Sequence, residues 1–144
     1  MYHLFWFLHI FGIVLWFGSL VTVGFLLMTM RRKPESEKFH ILPSVVRGVT
    51  RLSHIGAAFL LIGGIPMLFM IRHTKMAEFW VQYMAGLGII IVLLSMFMLS
   101  AVSKDMVGTA DGAMVRRSLR LYGRWLSFIL LLTLSILVVV AFKI

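Results

Sequence analysis

The chain contains no cysteine. That absence removes disulfides, thiolate metal sites, cysteine-ligated iron–sulfur clusters and cysteine nucleophiles at once. Charge is also scarce. Only 13% of the 144 residues are charged, where a soluble domain carries about 25%. Acids are scarcest, with five Asp and Glu against 14 Lys and Arg. So little polar surface excludes a water-soluble globular enzyme. Disorder is excluded by the opposite surplus: 61% of residues are hydrophobic and the mean hydropathy is +1.02, far too apolar for an unfolded chain.

What the chain does have is four long apolar runs, at residues 2–30, 53–71, 79–102 and 125–142. Each is long enough to span a bilayer core as a helix, which takes about 20 residues. The runs are continuous and do not alternate, which favours helices over barrel strands. The pattern predicts an all-α fold: one integral-membrane domain over residues 1–144, built as an up-down four-helix bundle. The first run lacks a basic leader and is longer than the ~7–15 residues of a signal-peptide core. It is therefore read as a retained span.

The net charge of +9 has to be placed relative to these spans. Between spans 1 and 2 lie Arg31, Arg32, Lys33, Lys38, Arg47 and Arg51. Between spans 3 and 4 lie Lys104, Arg116, Arg117, Arg120 and Arg124. The other side of the bundle holds only Arg72, Lys75 and Lys143. By the positive-inside rule both basic segments are cytoplasmic and both termini outside, with a bacterial cytoplasmic membrane as the expected location. The basic charge is then a topology signal with an affinity for anionic headgroups, and nucleic acid is not expected as a partner. Pro43 suits a helix start. After it, Arg47 and Arg51 with Val45, Val46, Val49 and Leu52 fit either an amphipathic extension of span 2 at the interface or a plain basic loop. Asp105, Gly108, Asp111 and Gly112 read as turn residues.

No Asp, Glu, Lys or Arg falls within a span, which argues against a proton relay built on buried charge. Histidine is then the informative residue type. Of His3, His9, His40, His54 and His73, only His9 and His54 fall inside spans. An imidazole in a membrane helix is costly unless it is hydrogen-bonded to a neighbouring helix or ligates a cofactor. Axial ligation of haem is the usual functional role. At 1.5 Å per residue, His9 lies roughly 9 Å from the outer boundary and His54 about 27 Å from it. That gap of roughly 18 Å disfavours one haem held by both, and fits two sites near opposite faces. Tyr83, Met84 and His73 are the second-ligand candidates near His9; Tyr122 and Met106 are those near His54.

Small residues punctuate the same helices: Gly12, Gly18, Ser19 and Gly24, then Gly56, Ala57, Gly63 and Gly64, then Ala85, Gly86 and Gly88. Close helix packing is the favoured explanation. The alternative is room for a flat macrocycle beside His9 and His54. The 11 methionines offer soft thioether ligands suited to Cu(I). However, Met28/Met30 and Met96/Met98 are two residues apart and point to different faces.

The stretch Leu8-His9-Ile10 followed by Val14-Leu15-Trp16-Phe17-Gly18-Ser19-Leu20 resembles the first helix of the CopD/HemJ-type membrane protein group. The resemblance is strongest over residues 2–32. Gly63-Gly64 late in span 2 and the arginine-rich approach to span 4 are similar in layout. The resemblance implies haem binding at His9, with Trp16 as part of the motif. HemJ-type proteins carry a lysine after a tryptophan on the third helix; here Trp80 is followed by Val81, Gln82 and Tyr83. The expectation from residues and resemblance together is a b-type haem protein moving electrons to or from a quinone or membrane partner, with one or two haems. The expected site residues are His9, His54, Gly12, Trp16, Tyr83, Met84 and Tyr122. Copper or small-solute passage, and an accessory role in an oligomer or larger membrane complex, are the alternatives.

Overall fold

The structure, a computed structural model, describes residues 2–30, 35–71, 78–107 and 112–142, without the side chains of residues 30, 35–41, 71, 105–107 and 112. Every described residue except Glu78 is helical. Four helices result: α1 (Tyr2–Met30), α2 (Glu35–Ile71), α3 (Phe79–Val107) and α4 (Gly112–Phe142). All four are long and apolar enough to cross a membrane. The expectation of an all-α chain with four spanning-length helices is met.

The helix starts differ from those expected. Helix α2 begins 18 residues before residue 53, and α4 begins 13 residues before residue 125. Pro43 lies inside α2 and does not open it. The two basic segments are therefore mostly helix. Their buried stripes explain why. On α2, Leu42, Val46, Thr50, Ser53 and Ala57 are buried at steps of three and four. On α4 the stripe is Val115, Ser118, Tyr122, Leu126 and Ile129. Each stripe runs unbroken from the basic segment into the apolar run, so the helix has packing to gain at every turn. Arg47, Arg51, Arg116, Arg117, Arg120 and Arg124 are exposed on the opposite faces. The extension of α2 packs into the bundle along one face only, since Val45 and Leu52 remain exposed. At 37 residues, α2 is about 55 Å long, well beyond a hydrocarbon core of about 30 Å.

Helix α1 packs chiefly on α2 and α3 on α4, while α2–α3 and α1–α4 contacts complete a ring. The α1–α2 contact is backbone against backbone. A methyl group on Gly12 would strike the backbone of Leu60, one on Gly56 the backbone of Trp16, and one on Gly63 the backbone of His9 and Phe5. Each step up α1 from His9 to Gly12 to Trp16 is matched by an equal step down α2 from Gly63 to Leu60 to Gly56. The two helices are thus antiparallel in a fixed register. The α1–α4 contact is looser: Gly24 faces the tips of Leu126 and Leu130, and Gly123 faces Leu27. Packing through small residues is how helices gain dispersion contacts where lipid removes the hydrophobic drive. The outward faces carry Phe25, Ile90, Phe97, Leu131 and Phe142, all at least 60% exposed, an apolar surface suited to lipid.

Gly12→Ala should destabilise the chain by about 2 kcal/mol or more, because backbone must move to admit the methyl. Gly18→Ala, where nothing lies within 4 Å, should be neutral or slightly stabilising. Thermal unfolding of both variants in detergent checks this; equal midpoints would disprove the close contact.

Candidate functional site

His9 projects from α1 onto the Gly63-Gly64 step of α2. Its Nδ1–H donates to the Leu60 carbonyl oxygen at 3.0 Å. That carbonyl has no proton to give, so in the neutral ring the hydrogen sits on Nδ1 and the lone pair on Nε2. A methyl on Gly64 would lie 2.8 Å from Nδ1, so glycine is what admits the ring. The half-buried imidazole is thereby held in one tautomer and one orientation by a backbone carbonyl. Metal-binding histidines are oriented in the same way.

His54 is placed differently. Its Nδ1 lies 2.5 Å from the Thr50 carbonyl oxygen on its own helix, and its Nε2 lies 3.1 Å from the Met96 carbonyl oxygen on α3. A neutral imidazole has one N–H and donates to one of these at a time; an imidazolium donates to both. Either way both nitrogens point at backbone oxygen, and neither presents a lone pair to a metal. This is a histidine hydrogen-bonded to a neighbouring helix.

Trp16 and Tyr122 take structural positions in the core. Trp16 Nε1–H donates to Ser95 Oγ at 3.0 Å, joining α1 to α3. Ser95 Oγ–H donates in turn to the Val92 carbonyl oxygen. Tyr122, fully buried, shares a 2.9 Å hydrogen bond with Thr50 Oγ1, joining α4 to α2. Thr50 Oγ1 is also within 2.7 Å of the Val46 carbonyl oxygen. Tyr122, Thr50, His54 and the Met96 carbonyl thus link α4, α2 and α3, while the Trp16–Ser95 pair separately joins α1 to α3. Among the described residues no buried side-chain nitrogen or oxygen lacks a partner.

The other candidates do not gather at His9. The Tyr83 hydroxyl faces Ser135 Oγ on α4 at 3.3 Å. Met84 is half-buried on α3, a helix that packs on α2 and α4. The space beside Gly12 is taken by Leu60, which supports packing there over room for a macrocycle. His73 and the side chain of Met106 lie outside the described residues. The register also revises the depth estimate. Residue 63 is level with His9, so His54 lies nine residues deeper, about 13.5 Å. The sequence estimate was larger because it took His3 and Arg72 as level, whereas the observed register sets residue 69 level with His3. The two imidazoles still cannot meet at one iron. The Ser95 and Thr50 contacts went unforeseen because hydroxyl residues in apolar helices look alike in sequence; only their i, i+3 and i, i+4 positions on buried stripes hint at a role.

The chain matches no family model, no curated protein and no solved structure.

Ser95→Ala would leave the buried Trp16 N–H without an acceptor. It should cost about 1–3 kcal/mol of unfolding free energy and change the Trp16 contribution to fluorescence. Ser127→Ala, on an exposed face, should do neither.

Proposed function

We propose that this chain is an integral-membrane b-type haem protein, of the CopD/HemJ-like kind, that passes electrons to or from a quinone or a membrane partner. The observation that carries this reading is the His9–Leu60 hydrogen bond. It fixes the Nδ1–H tautomer and leaves Nε2 as the free donor atom, the arrangement an axial haem ligand needs. His9 fits that role and His54 does not, so the reading is one haem at the end of the bundle holding the α1 N-terminus. Haem, when bound, supplies a one-electron couple. The chain's own part is to hold the imidazole in one orientation through the Leu60 carbonyl. Gly64 keeps that position open.

The bundle is read as up-down in a bacterial cytoplasmic membrane, with both termini outside. All seven described Lys and Arg residues whose side chains are placed (Arg47, Arg51, Lys104, Arg116, Arg117, Arg120 and Arg124) lie at the end away from His9, which supports this orientation. A second reading, an accessory subunit whose histidines only brace helices, is favoured by the paired nitrogens of His54.

A reduced-minus-oxidised spectrum of the purified protein separates the two. We expect Soret and alpha bands that His9→Ala abolishes and His54→Ala retains. No bands after haem supplementation would sink the haem reading in favour of the accessory one. Equal loss from both substitutions would refute a single site at His9. For orientation, the absence of native cysteine makes single-cysteine labelling direct. Lys75→Cys should react with an impermeant maleimide in intact cells and Arg117→Cys only after permeabilisation; the reverse pattern would invert the topology.

A further inference from the structure

An open cavity of about 760 Å³ lies at the basic end of the bundle, between α4, Leu27 of α1 and Leu42 of α2. Its α4 wall changes character along its length. Arg116, Arg120 and Arg124 line one end, and Phe128 and Leu131 the other. The arginines follow at i, i+4 and i+8, so they share one face. Like charges at that spacing repel, which a bridging anion would relieve. Arg116 is already engaged within the fold. Arg120 and Arg124 are exposed. All four basic residues of α4 are arginine and none is lysine. The planar guanidinium suits bidentate contact with phosphate oxygens.

The change from charge to apolar surface falls at Trp125, whose ring packs edge-on against Phe128. Aromatic residues of this kind mark the border between headgroups and hydrocarbon. Above that border the cavity offers guanidinium groups, and below it an apolar trough open to the outside, since Phe128 and Leu131 are exposed. Gly123 forms part of the floor: a methyl there would meet only Leu27 Cδ1, at 3.9 Å.

We propose that this cavity binds an anionic phospholipid of the surrounding leaflet, with the phosphate on Arg120 and Arg124 over the Gly123 floor and one acyl chain along Phe128 and Leu131. Charge complementarity selects the headgroup, and the cavity's continuation past Trp125 selects a lipid over a soluble anion. Arg117 is on the same helix turn but outside the cavity, so it separates a site from diffuse attraction to a basic surface.

The test is native mass spectrometry of the full chain in detergent micelles, offered phosphatidylglycerol, phosphatidylcholine or inorganic phosphate. Phosphatidylglycerol should be retained and the other two not. The double variant Arg120→Gln/Arg124→Gln should weaken retention about tenfold or more, since both proposed phosphate contacts are lost. Gly123→Leu, which fills the cavity floor between the two arginines without changing charge, should weaken it as well and keeps the proposal testable if the double variant does not fold. Arg117→Gln should match the native chain. Equal weakening by Arg117→Gln, equal retention of phosphatidylcholine, unchanged retention by Gly123→Leu, or displacement of phosphatidylglycerol by phosphate would each overturn the proposal.

Discussion

The rest of the bundle depends on how closely α1 and α2 approach. Gly12, Gly56 and Gly63 remove the side chains that would hold two helices apart, and backbone meets backbone at three successive levels. Contact of this kind does not slide, because each glycine is fitted against the backbone of one opposing turn. The register that results brings the His9 ring under the Leu60 carbonyl and turns Trp16 inward towards Ser95. In a lipid environment, where apolar burial gives little preference between helix and acyl chain, shape and hydrogen bonding decide pairing. The glycine contacts supply the shape.

Hydrogen bonding supplies the rest. Trp16–Ser95 and Thr50–Tyr122 each link helices that face each other across the ring, and His54 lies between them with a carbonyl at each nitrogen. An unpaired polar group in this interior would carry its full desolvation cost. The groups are therefore met in pairs, and each pair fixes the rotation of a helix about its axis. This explains how a chain whose α1 and α3 are apolar on nearly every face settles on one set of inward-facing residues. His54 belongs to this bracing, while His9 stands at its edge with one nitrogen still available.

The two ends of the bundle differ in chemistry. The end around His9 carries aromatic side chains and the imidazole. The opposite end is a helical extension with its own buried residues, Leu42, Val46, Val102, Ser103, Val115 and Tyr122, and an arginine-bearing outer face. A haem at one end and a lipid phosphate at the other would use separate devices, one a tautomer set by a carbonyl and the other a row of guanidinium groups. In the proposed orientation the same arginines would stand at the level of the headgroups.

Much of this was legible in the sequence. Four apolar runs without internal charge determined four helices, because a backbone in hydrocarbon must satisfy its own hydrogen bonds. The two span histidines were visible as the chemically informative residues, and the glycines as packing points. The helical start of α4 was not read from the sequence, and that of α2 only from Pro43 and as one of two alternatives, because arginines on one face mask the buried stripe on the other in any average over consecutive residues. Only the tertiary structure separated the two histidines. His9 and His54 both fall within apolar runs of the sequence, yet one meets a carbonyl at a single nitrogen and the other at both. That difference arises from which turns of α2 and α3 lie opposite each ring, and helix register is set by contacts between residues far apart in the chain.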